Sequence, residues 1–257
     1  MRARWWILGL AIAVGACSSS SDFRQLSGNE SKPAAINTQL GIAYMQDNKP
    51  SLALDALKKA LRQDPDLALA HNAIAVLYQQ LGEYDKAGRH FRRAVELEPK
   101  DSDAQNNYGA FLCRRGRIEE AERHFQAALN NPLYTNPERA YFNWGFCAVK
   151  ARDDVKAARY LRLALQRDPK YAPALLEMAK LSYRQKQYLN ARGYLERYQA
   201  VAPPTADSLW AGIQIERVLG DRNAVASYAL LLKSKFPDSD QTRQFLESRS
   251  NGPAPGH

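Results

Sequence analysis

The chain has little of what catalysis or metal binding draws on. Its 257 residues include three cysteines and four histidines, with no CxxC pair and no HExxH segment to hold a zinc ion. Glycines are dispersed rather than gathered into a phosphate-cradling loop. No stretch alternates apolar and polar residues as a half-buried strand does. Carboxylate pairs such as Glu119-Glu120 and Asp153-Asp154 fall at expected helix starts, where they offset the helix dipole. These absences leave no foothold for an enzyme, a cofactor, a metal or a small-molecule substrate, and they point to a chain that works by binding protein.

Proline is present, and it is periodic. Pro65, Pro99, Pro169, Pro203 and Pro237 lie on a 34-residue grid once two inserted residues are allowed near Pro132. That period belongs to the tetratricopeptide repeat, a helix-turn-helix unit. Repeats begin at residues 34, 68, 102, 138, 172 and 206. Their eighth positions read Gly41, Ala75, Gly109, Gly145, Ala179 and Ile213, and their twentieth Ala53, Ala87, Ala121, Ala157, Ala191 and Val225. Small residues there let the A and B helices of a repeat approach, and the bulkier Leu57, Phe91, Phe125, Leu161 and Leu195 fill the space beyond. The expected fold is an all-α, right-handed solenoid of six repeats over 34–239, about twelve antiparallel helices, with the sixth repeat degenerate at Ile213. Residues 240–247 read as a cap and 248–257 as a disordered tail.

His90 and His124 share position 23 of consecutive repeats, so they echo the repeat rather than form an acid-base pair. His71 sits at a helix A packing position and His257 in the tail.

The first residues speak to compartment. Met1-Arg2-Ala3-Arg4 is basic, and the apolar run Trp5 to Ala16 is shorter than the ~20 residues an ordinary membrane-spanning helix needs. Residues 1–16 read as a signal peptide. The run ends in Val14-Gly15-Ala16-Cys17, which resembles the lipobox of bacterial lipoproteins. That resemblance implies cleavage before Cys17 and acylation there, with 17–33, opening on four serines, as a tether. An ordinary secretory signal with an incidental Cys17 is the alternative. Ser18, in place of an inner-membrane retention aspartate, favours the periplasmic side of the outer membrane. Removing Arg2 and Arg4 takes the formal charge from +9 to +7. Export makes nucleic acid an unsuitable partner for that surplus, leaving an acidic protein, an anionic membrane surface or simply solvated helix faces.

Cys113 and Cys147 occupy positions 12 and 10 of helix A in adjacent repeats. Neighbouring A helices lie side by side, so an oxidising compartment favours a disulfide over two reduced core thiols.

The A helices also line the concave wall of such arrays. The positions near 2, 5, 9, 12 and 13 carry Ile42, Met45, Leu69, Val76, Phe142, Phe146, Val149, Leu176, Tyr183 and Trp210. Asn72, Asn106, Arg114, Lys150, Lys180 and Arg184 lie among them. An apolar or amphipathic segment would suit this groove and its basic rim, although half of these side chains are expected to close the core between repeats.

Several segments resemble one family. Asn106-Asn107-Tyr108-Gly109, Phe111-Leu112-Cys113, Glu120-Ala121-Glu122, Pro132-Leu133-Tyr134 and Phe146-Cys147-Ala148 are similar to the central repeats of the type IV pilus biogenesis and stability lipoproteins of the PilW/PilF type. Tyr194-Leu195-Glu196-Arg197-Tyr198, Ser208-Leu209-Trp210, Gly220-Asp221, Ser227-Tyr228 and Phe236-Pro237-Asp238-Ser239 resemble that family's carboxyl-terminal signature. The resemblance spans about residues 34–246. It implies an outer-membrane lipoprotein, a pilotin, that binds subunits of the pilus secretin and supports their localisation and ring assembly. Gly15 in the lipobox and Ile213 depart from the common pattern. The repeat pattern alone leaves open an adaptor for outer-membrane barrel assembly or for a periplasmic peptidase or cell-wall enzyme.

Overall fold

The computed structural model describes residues 31–250. The expected signal segment 1–16, Cys17 and all of the tether before Ser31 lie outside the described residues, as do 251–257 of the tail. The described chain is helical throughout: α1 (Lys32–Gln46), α2 (Pro50–Gln63), α3 (Ala68–Gln80), α4 (Tyr84–Leu97), α5 (Ser102–Arg114), α6 (Ile118–Leu129), α7 (Pro137–Lys150), α8 (Asp154–Arg167), α9 (Ala172–Arg184), α10 (Tyr188–Gln199), α11 (Ala206–Leu219), α12 (Arg222–Lys235) and α13 (Asp240–Ser250). Each A helix packs on the B helix of its own repeat and on the next A helix, as a solenoid of tetratricopeptide repeats requires.

The breaks are local. In every A–B turn the residue at repeat position 15 has a positive φ: Asn48 55°, Gly82 77°, Gly116 79°, Arg152 61°, Lys186 60° and Gly220 81°. Glycine takes this left-handed conformation without penalty, whereas arginine and lysine there each cost on the order of 1 kcal/mol. At the other end of the unit, α2 stops at Gln63 because Pro65 restricts Asp64, which is extended at φ −144°. The insertion after α6 turns through Asn131 to Asn136, seats the Tyr134 ring in the interior, and places Pro137 in the first turn of α7.

Close approach of the paired helices explains the small eighth position. A Cβ on Gly109 would stand 2.8 Å from the Phe125 ring, closer than packed carbon atoms come. The sixth repeat departs as its Ile213 foretold, but the contact is relocated rather than lost. Ile213 is fully buried, and the neighbouring Gly212 takes the close contact, its Cβ position lying 2.9 Å from the Tyr228 ring.

The six repeats supply the twelve expected helices, and the segment read as a cap is a thirteenth, α13. One expectation is corrected: α13 runs to Ser250, three residues into the segment read as a disordered tail. The cause is local. Thr242 donates through its hydroxyl to the Phe236 carbonyl at 2.7 Å, its amide donates to the Ser239 hydroxyl at 3.2 Å, and Phe245 is buried against Leu209, Ile213 and Leu232. The carboxyl-terminal end of the solenoid is thereby closed.

Candidate functional site

Helices α3, α5 and α7 lie side by side and open a cavity of about 240 Å³. Val76 and Gln79 come from α3, Asn107, Ala110 and Arg114 from α5, and Arg139, Phe142 and Asn143 from α7, with Tyr171 closing one side. Phe142 meets Tyr171 edge-on at 5.6 Å between centroids and stacks on Phe146 at 6.0 Å. The Arg114 guanidinium donates to the Gln79 side-chain oxygen at 3.2 Å and has no carboxylate partner among the described residues. Arg139 has Asp103 3.9 Å away, at the limit of an ion pair. An aromatic wall flanked by two guanidiniums suits an extended or amphipathic chain segment carrying carboxylates.

Of the residues anticipated for the groove, Val76, Arg114 and Phe142 meet in this cavity, with Phe146 stacked behind. Asn72 and Asn106 do not belong to the groove surface, which corrects the sequence reading. Both are buried and form rungs between A helices: Asn107 donates to Asn72 at 3.2 Å, and Asn143 donates to Asn106 at 2.9 Å. Buried polar groups need such partners, and the asparagines at position 6 supply them to the two side-chain oxygens, while Asn106 Nδ2 finds none among the described residues. Ile42 and Met45 pack on the first core, Leu69 beside Ala34 and Leu67, and Val149, Leu176 and Tyr183 on the second core. Trp210 packs in the last core under the Arg217 guanidinium, 5.8 Å from its ring. Lys150 is exposed at the end of α7.

The carboxyl-terminal half of the wall is neutralised. Lys180 donates to Asp207 at 2.6 Å and to Glu177 at 3.1 Å, and Arg184 to Asp154 at 3.0 Å. Burial works against the Lys180 ammonium, but Glu177 and Asp207 outweigh it and hold its pKa above the ordinary lysine value. Burial likewise opposes the Asp207 carboxylate, yet the Lys180 hydrogen bond and charge hold its pKa below the usual range. Free cationic groups on this wall are thus concentrated beside α5 and α7.

Behind the cavity, Cys113 of α5 and Cys147 of α7 are joined, with Cα atoms 5.7 Å apart. The histidines form packing links. His71 Nε2 lies 2.9 Å from the Pro65 carbonyl and must donate to it, so His71 Nδ1 accepts from His90 Nδ1 at 2.9 Å. Gln105 repeats the link one unit later, donating to the Pro99 carbonyl at 2.8 Å while its oxygen accepts from His124 at 2.6 Å. Burial first, then the neighbouring His71 ring and the Arg89 charge, lower the His90 pKa to about 4. Among the described residues no three His, Cys, Asp or Glu side chains cluster as metal ligands, and no helix is long and apolar enough to cross a membrane.

A second surface escaped the sequence reading. Ile36 and Leu40 on α1 are 67% and 42% exposed. They hold positions 3 and 7 of the first repeat, where the second repeat buries Ala70 and Ile74, the third Ala104 and Tyr108, and the fifth Ala174 and Met178 against the preceding unit. No described element precedes α1, so its apolar edge stands open. The signal was available, since apolar residues persist at these two positions in the first repeat as though it had a neighbour.

The tetratricopeptide repeat model matches residues 38–102 and 72–137. The type IV pilus assembly protein PilF of Pseudomonas aeruginosa is 32% identical over 238 residues, covering 92% of this chain and 94% of that one. Among solved structures, that of PilW, a type IV pilus biogenesis factor, superposes with a TM-score of 0.77 at 34% identity, over 84% of this chain and 99% of the other. The structure of Pseudomonas aeruginosa PilF gives 0.75 at 32% identity, over 84% and 97%. The chain belongs to the family of type IV pilus biogenesis tetratricopeptide repeat proteins that includes PilF and PilW.

Proposed function

We propose that this chain is an outer-membrane lipoprotein, held on the periplasmic side through acyl groups on Cys17, that binds subunits of the type IV pilus secretin and promotes their localisation and multimerisation. The observation that carries the reading is the aromatic and arginine-lined cavity spanning α3, α5 and α7, in a chain whose family relationship runs through nearly its whole length. A secretin segment with apolar side chains and carboxylates would lie along α5 and α7, its apolar groups against Phe142 and Tyr171 and its carboxylates at Arg114 and Arg139. The open edge of α1 at Ile36 and Leu40 offers further apolar area at the end nearest the tether. The role is binding and placement, with no bond made or broken.

The test compares heat-resistant secretin multimers in outer-membrane fractions from wild type, a null strain and a strain carrying Cys17→Ala. The null strain is expected to lose multimers from the outer membrane, and Cys17→Ala to leave a folded protein that no longer sediments with that membrane. Normal secretin assembly in the null strain would refute the proposed role. Undiminished sedimentation of Cys17→Ala would refute the anchor.

A further inference from the structure

The B helices carry a surface that the groove does not use. Arg89, Arg123 and Arg159 stand at the same position of three consecutive repeats, on α4, α6 and α8, and Lys58, Arg92 and Arg162 stand three residues on from that position on α2, α4 and α8. Because stacked repeats superpose, equal positions fall on one side of the array, and residues three apart share a helix face. These cations therefore form short rows, bounded at the same two positions by Asp55 on α2 and Glu196 on α10. All six are exposed, and none forms an ion pair among the described residues.

The rows lead to projecting apolar side chains. Val155 on α8 and Leu189 on α10 are 83% and 71% exposed. They precede Arg159 and Gly193 by four residues, one turn earlier on the same face. Where α8, α9 and α10 meet lies a cavity of about 360 Å³ bounded by residues that include Arg162, Ser182, Leu189, Gly193, Tyr194 and Arg197. A Cβ on Gly193 would meet nothing within 4 Å, so the space above it is open. Arg197 is steadied by donation to the Pro169 carbonyl at 3.0 Å and lies 5.5 Å from the Tyr194 ring centroid.

Unpaired guanidiniums around a small open cavity match phosphate groups, and apolar side chains that project outward match a medium they can enter. An acidic protein partner would meet the charges but would need its own recesses for Val155 and Leu189. A bilayer meets both needs at once, with anionic headgroups above hydrocarbon. We propose that the α8–α10 face docks on an anionic phospholipid surface, with headgroup phosphate between Arg162 and Arg197 and with Val155 and Leu189 reaching the acyl boundary. This leaves the α3–α5–α7 cavity, on the A helices, for the protein partner. The inference takes from the lipoprotein reading only the nearness of a membrane, and it is tested apart from acylation.

The chain from residue 17 onward, carrying Cys17→Ser to forbid acylation there, includes every described helix. It is mixed with vesicles of phosphatidylcholine alone or with about one third phosphatidylglycerol, and bound protein is measured by sedimentation. Binding is expected only to the anionic vesicles and is expected to weaken as salt rises. The double variant Arg159→Gln with Arg162→Gln, which removes exposed charges, should bind about 30-fold more weakly with an unchanged melting temperature. Val155→Ser with Leu189→Ser should also weaken binding while keeping its salt dependence. Equal partitioning to neutral and anionic vesicles, or parental binding by the arginine variant, would overturn the proposal. So would an arginine-dependent interaction with an acidic protein in the absence of any vesicle binding.

Discussion

The two ends of the solenoid are finished differently. At the carboxyl end α13 folds over α11 and α12, buries Phe245 and ties Thr242 to the end of α12. At the amino end α1 presents Ile36 and Leu40 with no preceding unit among the described residues, although the second, third, fifth and sixth repeats bury the equivalent positions. A repeat cannot bury both its faces alone, so a terminal unit needs a cap or becomes a contact surface. The difference teaches that one end serves stability and the other is available for binding, with a stapled middle between them.

Breaking the staple should have the largest effect. The Cys113–Cys147 bridge closes a loop of separation 34, for which chain-entropy arguments give about 3–4 kcal/mol. Cys147→Ser, or reduction, is expected to lower the urea midpoint accordingly and to loosen α5 and α7 ahead of either end. Thiol labelling of the unfolded, unreduced protein should find neither sulfur free. Full labelling would show that the pair is reduced and that packing alone holds the middle.

Removing the cap should cost slightly less. Phe245→Ala is expected to destabilise the last repeat by about 3 kcal/mol. Hydrogen exchange should quicken in α11 and α12 while α1 to α5 stay protected, because stability in a solenoid is a sum over neighbours. Global unfolding in one step would erase the distinction between the two ends.

Acid should act on the other side of the molecule. His90 binds its proton in the folded state at about 4, against 6.5 when exposed. The unfolded chain therefore takes up a proton first as pH falls, and stability that is full above pH 6.5 is lost progressively towards pH 4. Burial lowers the His124 pKa too, in the same direction. The expected loss at His90 is about 2 kcal/mol, discounted for partial exposure. His90→Gln should flatten the pH dependence of melting in this window. An unchanged slope would place the acid sensitivity elsewhere.

Most of this fold was legible in the sequence because the repeat writes its own boundaries. Prolines mark the ends of B helices, and the small-residue positions mark the tight crossing, where Gly109 meets Phe125. The A–B turns were legible at Gly82, Gly116 and Gly220 but not at Arg152 and Lys186, whose left-handed backbone is imposed by the packed helices around them against local preference. The cap was legible by its place after the last repeat, but its length was not, because it carries no repeat pattern and only its partners give Phe245 a place to bury. The groove was legible in part. Position within the repeat found Val76, Arg114 and Phe142, but it could not separate Asn106, which faces its neighbour on α7, from Asn107, which borders the cavity. Arg139 holds position 2 of its repeat on α7, a wall position at which the sequence reading passed it over, whereas Tyr171 enters from the turn before α9, where stacking geometry decides what faces the wall.

The smallest structural change should fall at the open end. Ile36→Ser with Leu40→Ser removes exposed apolar surface and should shift stability by no more than about 0.5 kcal/mol. The number of secretin multimers in the outer membrane should nonetheless fall. Unaltered assembly would leave the open edge of α1 without a role in binding.

The central claim, that the α3–α5–α7 cavity holds the secretin, is tested most directly by titrating purified secretin subunits into the wild-type chain and into Arg114→Glu. Arg114 is exposed, and its one side-chain hydrogen bond among the described residues is to Gln79, so the variant should melt as wild type does. The account predicts saturable binding that weakens about 30-fold or more on reversal of this charge. Equal affinity of the two proteins would contradict it.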